Sequence, residues 1–277
     1  MKLAILPTSF LCAAVTLFSG CGGGADGSTP DGAVMSSVQA LRQNDVAGFL
    51  NTILTEEKLE AARWEWKQKP APTAQENAQF QQAMAKLTPS GAEDDMFKQI
   101  KPKLAEMRPQ VAMMLGMIEG MGQAAIEKNE ELTDTEKEQG GKALSDFVTL
   151  LRENDITSED NARKVVGILC KTARKLKLDY LSELHQMEFD QALKKGDLVL
   201  AGLKQVMLVY GLDVDAFLDS FEATVLSENG NEAVVVLSYE FLGTRHTAQA
   251  EMERVDGRWF RKEADASASF NHSGIGN

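Results

Sequence analysis

The spacing of apolar residues changes once along this chain, near Asp219, and that change demands two kinds of architecture in one polypeptide. From Ala33 to about Leu218, apolar residues recur every three or four positions, the period that lines one face of an α-helix. Val34, Val38 and Leu41 form one stripe and Val46, Phe49, Leu50 and Ile53 the next, with a break at Asn44-Asp45. Thr55 opens a helix through Leu59 and Trp66 that must stop before Pro70 and Pro72, and Thr73 opens another that Pro89 closes. The stretch from Ala92 to Lys128 is expected to be interrupted or kinked at Pro102 and Pro109, because proline has no amide hydrogen to give. Thr133 and Glu136 have capping-box spacing, and Ser158 starts the segment carrying Val165, Val166, Ile168 and Leu169. Helices from Leu176 to Leu193 and from Leu198 to Tyr210 are expected on either side of Lys194-Lys195-Gly196-Asp197. That segment repeats the helix-ending pattern of Arg42-Gln43-Asn44-Asp45 and Arg152-Glu153-Asn154-Asp155. A short helix follows Gly211.

After Asp219 the period becomes two. Phe221, Ala223 and Val225 alternate with polar residues up to the hairpin signal Asn229-Gly230. Ala233, Val235, Leu237, Tyr239 and Phe241 alternate next, then Ala248, Ala250 and Met252, with turns at Gly243-Thr244 and Asp256-Gly257 before Arg258-Trp259-Phe260-Arg261-Lys262. The pattern predicts a four-stranded antiparallel meander with one dry face, and the helices from Leu176 to Tyr210 are the nearest cover for it. The expected fold is α+β: a mainly helical region over 33–156, then helices packed on the meander over 157–264, and a polar tail over 265–277.

The opening residues are a different kind of segment. Lys2 precedes an apolar run from Leu3 to Phe18, which has the layout of a secretory signal peptide over residues 1–20. Leu17-Phe18-Ser19-Gly20-Cys21 resembles the bacterial lipobox, and the resemblance implies that Cys21 carries the lipid as first residue of the mature chain. The Gly-rich stretch after it, up to Gly32, predicts a random-coil tether of about 18 Å root mean square. Gly22 in place of Asp after that cysteine is similar to the sorting signal of outer-membrane lipoproteins, which implies the periplasmic face of that membrane. Past the signal only Cys21 and Cys170 remain, so no internal disulfide is expected and Cys170 is read as a buried small hydrophobe.

A formal net charge of -12 repels phosphate backbones, so nucleic acid is not an expected partner. His185, His246 and His272 have no metal-ligand spacing among them, and no nucleophile elbow, phosphate loop, H-E-x-x-H motif or dinucleotide glycine fingerprint occurs. Neither catalysis nor a metal or other cofactor is expected. Asp213, Asp215 and Asp219 lack the central Gly and closing Glu of a calcium loop and read as the acidic start of a helix.

The unusual composition lies from Val111 to Ile126, where Met113, Met117 and Met121 repeat every four residues beside Met114, Gly116 and Gly120. Core packing is the first use for such a stripe; a groove for a partner or lipid, or a soft Cu(I) site, would also take it. Trp64 is two residues from Trp66 and cannot share its face, which makes Trp64 the better candidate for an exposed aromatic contact, the alternative being cover by a neighbouring helix. Trp64, Met113, Met117 and Met121 are therefore the candidate partner or ligand surface.

Gln191-Ala192-Leu193-Lys194-Lys195-Gly196-Asp197, followed by a meander ending Val255-Asp256-Gly257-Arg258-Trp259-Phe260, resembles the cone-shaped α+β domains of the NTF2-like superfamily over residues 176–264. Lys177-Leu178-Asp179-Tyr180-Leu181 and Tyr210-Gly211-Leu212-Asp213 are similar to proteobacterial lipoproteins. These resemblances imply no catalytic residues. The expectation is a protein held to the envelope membrane through Cys21, with a binding or structural role toward an envelope partner. Carriage of a small apolar ligand is the alternative, and an enzyme the third.

Overall fold

The computed structural model describes residues 27–130 and 132–262. The expected signal peptide, Cys21, most of the tether and the tail with His272 lie outside the described residues. The first helices are α1 (Pro30–Arg42), α2 (Val46–Ile53), α3 (Glu56–Gln68) and α4 (Ala74–Leu87). Next come the long α5 (Ala92–Lys128), α6 (Asp134–Glu153) and α7 (Glu159–Leu176). Then follow α8 (Leu181–His185), α9 (Phe189–Val209) and α10 (Val214–Asp219). The strands β1 (Glu222–Asn229), β2 (Glu232–Phe241), β3 (Thr244–Val255) and β4 (Arg258–Arg261) close the order, so the fold is α+β.

The helix starts follow from hydroxyl and carboxylate caps, which satisfy amides left without a partner in the first turn. Thr73 and Thr133 each form a reciprocal capping box with Glu76 and Glu136, while Thr55 and Ser158 cap α3 and α7. α1 begins earlier than its apolar stripe suggests. Thr29 accepts from the Gly32 amide at 3.2 Å and Pro30 fits the first turn, so Pro30, Asp31 and Gly32 are helical rather than tether.

Two helix boundaries differ from expectation. α5 runs unbroken through Pro102 and Pro109 for 37 residues, because the carbonyls of Lys98 and Ala105 that lose their donors belong to exposed residues. α9 likewise runs through Lys194-Lys195-Gly196-Asp197 without a turn. There Gly196 passes close to Val46, and Asp197 accepts from the Val46 amide at 2.9 Å, capping α2 from a distance of 151 residues in the chain instead of starting a new helix.

The sheet order is β1-β2-β3-β4, antiparallel throughout, as the alternation predicts. Gly230 and the pairs Leu242-Gly243 and Asp256-Gly257 take positive φ in the hairpin turns. A register shift between Val225 and Ser227 leaves Leu226 as an extra residue on the edge strand, which bends that edge away from further pairing. Ala233, Val235, Leu237, Ala250, Met252 and Trp259 are buried on one face, and Thr247, Gln249 and Glu251 stand in solvent on the other.

The cover of the dry face is not the expected one. α1, near the opposite end of the chain, lies on it: Ala33 and Val34 are wholly buried among Val235, Leu237, Met252 and Trp259. Val38 continues the contact to Leu218 of α10 and to Phe221. The small Ala33 side chain lets the helix axis come close to the pleat, and the β-branched Val34 fills space in the cluster that holds the indole. The helices from Leu176 to Tyr210 build a second layer, in which α9 packs on α7 and Gly202 sits directly over Thr172. Packing therefore runs between residues 33–156 and 157–264, since α1 of the first lies on the sheet of the second.

Around this frame, α5 packs through Ala92 against Val166 and Cys170 of α7 and through Leu115 against Leu144 and Val148 of α6. Arg174 of α7 locks the α4–α5 turn. It donates to the Thr88 and Pro89 carbonyls and to both oxygens of Glu93, which holds that carboxyl down to about 2. Cys170 is buried, as expected, and burial raises its thiol.

Candidate binding surface

α5 is amphipathic in an unusual sense, because both of its faces are apolar and only one is covered. Val111, Leu115 and Ile126 pack on α6, so the opposite side of the helix looks outward. That side carries Met113, Met117 and Met121, which are 67, 56 and 68% exposed. Met114 and Met107 flank them, also exposed, and a side chain at Gly116 or Gly120 would meet nothing. The expectation that the methionine stripe is core is thus corrected: the four-residue spacing does place these side chains together, but α6 and α7 occupy the other faces of α5. The strip covers about 12 Å of helix axis between Met113 and Met121, at ~1.5 Å per residue. Such spacing presents a linear apolar contact rather than a convergent set of thioethers for one soft ion.

Trp64 is also outside, 65% exposed, while Trp66 on the same helix turns inward, donates to the Met187 carbonyl at 2.9 Å and meets Phe189 edge to face. The two tryptophans and Lys69 border a shallow cleft of about 430 Å³. α3 packs on α2 and α9, whereas α5 packs on α4, α6 and α7, so Trp64 and the methionine strip are separate surfaces. Leu169 of α7 and Val199 and Leu203 of α9 are also exposed, although the sequence around each has the spacing of an ordinary amphipathic stripe. Nothing local distinguishes them from a covered stripe.

The polar candidates are not brought together. His185 ends α8, and His246 is buried inside β3, 2% exposed and stacked on Tyr239 at 5.5 Å. Tyr239 in turn stacks on Phe221 and meets Phe217 edge to face, so the imidazole is part of an aromatic floor beneath α1 and α10. Asp213 caps α10, Asp215 binds Lys204, and Asp219 binds Arg42, which gives all three aspartates structural work. Among the described residues no group of three or more His, Cys, Asp or Glu side chains is placed to hold a metal ion. No described helix is long and apolar enough to cross a membrane.

His246 makes a pH signature. Burial lowers its ionisation below the ordinary value, against a smaller upward pull from Asp146 and with a downward push from Lys142, both on α6. The unfolded chain then binds a proton that the folded chain resists. Folding stability is therefore fully present above about pH 6.5 and declines as the pH falls from there toward the lowered folded value. Urea unfolding between pH 7.5 and 5 should show the decline, and His246→Phe, which keeps the stack on Tyr239, should flatten it. An unchanged slope in that variant would assign the effect elsewhere.

No protein-family model, curated protein or solved structure matches this chain.

Proposed function

We propose that the chain is a lipid-anchored protein of the bacterial envelope that works by binding another macromolecule, with the outer face of α5 as its working surface. The observation that carries this reading is the methionine strip, open to solvent on a helix whose opposite stripe is already packed. Contiguous exposed apolar area on a folded protein is costly in water unless something covers it, and methionine's unbranched, polarisable side chain adapts to a partner's shape. The lipobox-like segment ending in Cys21 supports the address, and the acidic charge supports a protein rather than a phosphate-bearing partner.

Two measurements on the full chain test the reading. Cys21→Ala should abolish incorporation of labelled fatty acid and release the protein from membranes; retained label removes the anchor. A photo-reactive phenylalanine analogue at position 117 should give crosslinked adducts in intact cells well above those from position 249 on the solvated sheet face. Equal yields from the two positions would remove α5 as the working surface.

A further inference from the structure

The geometry points to a second copy of this chain as the partner of the α5 face, docked helix against helix in antiparallel fashion about a two-fold axis at Met117. The inference rests on the reading of that face as a binding surface and adds the identity of what covers it. Its warrant is the arrangement of charge about the apolar strip. Glu106 lies eleven residues before Met117 and Lys128 eleven residues after it. At ~100° per residue, both fall within about 20° of the Met117 direction, so the strip is bounded on one face by an anion at one end and a cation at the other. Both side chains are exposed, and neither forms an ion pair among the described residues.

A two-fold axis through Met117 superposes this pattern on its own complement. Glu106 of each copy comes level with Lys128 of the other, Gln110 with Ala124, and Met113 with Met121, while Met117 meets itself. A parallel pair would instead set Glu106 against Glu106 and Lys128 against Lys128 and align the two helix dipoles unfavourably. Gly116 and Gly120, over which there is open space, leave room for the facing methionines and a close approach of the two axes. An isologous contact of this type closes on itself and uses the whole strip, so it ends at a dimer. An anionic lipid surface fits less well, because it offers Glu106 no cation to pair with.

The test uses cysteine crosslinking of the full chain in intact cells, with wild type as the baseline for Cys21 and Cys170. Met117→Cys is expected to yield a disulfide-linked dimer on mild oxidation. Glu106→Cys and Lys128→Cys, each alone, should give none above wild type, since symmetry mates would stand about 33 Å apart along the axis at ~1.5 Å per residue. Co-expressed together they should give the mixed dimer. Absence of the Met117→Cys dimer, or a Glu106→Cys self-dimer as strong as the mixed one, overturns the proposal. Charge reversal adds a second readout on the purified lipidated protein in detergent. Glu106→Lys or Lys128→Glu should each weaken self-association by roughly tenfold, because symmetry makes every reversal act twice, and the double reversal should restore it. No restoration in the double reversal also overturns the pairing. Photo-crosslinks from position 117 to another protein or to lipid, without self-adducts, overturn the second copy while leaving the binding surface standing; no adducts at all overturn both.

Discussion

Replacing Trp259 by alanine is expected to cost about 3–5 kcal/mol of folding stability, the range for removing a large aromatic side chain from a packed interior. Trp259 is wholly buried and heads the largest enclosed side chains of the described residues. It stands on the short strand β4, where it contributes to the cluster formed by Ala33 and Val34 of α1 with Val235 and Met252 of the sheet. Its backbone N–H also donates to the Gly27 carbonyl at 3.1 Å, tying the approach to α1 to the far edge of the sheet. The indole Nε1 has no hydrogen-bond partner among the described residues, so the expected loss comes from apolar packing and the cavity, not from a broken hydrogen bond. Urea unfolding should show a lower midpoint, and hydrogen exchange should show amides at the start of α1 losing protection first, since Ala33 and Val34 pack in the cluster that Trp259 completes. A loss below about 1 kcal/mol, outside the span for buried aromatics, would move the centre of the core away from the α1–sheet contact.

Lys204→Met is expected to cost about 2–3 kcal/mol, because its ammonium makes charge-assisted hydrogen bonds that no neutral side chain can replace. Lys204 reaches from α9 with its side chain only 8% exposed. Its Nζ donates to the Leu41 carbonyl at 2.6 Å, to the Arg42 carbonyl at 3.2 Å and to Asp215 at 2.7 Å. The ammonium thus sits at the negative end of the α1 dipole and joins α1, α9 and α10 at one point. Met keeps most of the stem's volume, so the loss would report the polar contacts rather than a void. Asp215→Asn should cost under about 1 kcal/mol, because that carboxylate is 41% exposed and Asn keeps an oxygen for the ammonium. Equal losses in the two variants would mean that the ion pair, not the helix end, carries the stabilisation.

Much of the fold could be read without coordinates where a short window contains the cause. The hydroxyl caps at Thr55, Thr73, Thr133 and Ser158, the hairpin at Asn229-Gly230 and the inward alternation of Ala233, Val235 and Leu237 are consequences of a few adjacent residues. Misreadings arose where a distant residue completed a local pattern. Asp197 looks like the cap of the helix that follows it, yet it serves the amide of Val46 and leaves α9 continuous. The prolines of α5 offered an interruption or a kink, and the helix is not interrupted, since the carbonyls they orphan belong to exposed residues.

The candidate surface was legible in the same partial way. Spacing put Met113, Met117 and Met121 on one line and set Trp64 apart from Trp66, and both placements hold. Whether the methionine line is core or surface depended on which side of α5 received α6, and Leu115, Val111 and Ile126 offered an equally apolar alternative.

From its sequence alone this protein was bound to be helical before Asp219 and a sheet after it, because the period of apolar residues matches the geometry of one backbone form at a time. Only the tertiary structure decided that α1 roofs the sheet and that the methionines face outward. Periodicity says which side chains share a face; it does not say which face meets which, since that choice rests on shape and charge contributed by residues far apart in the chain.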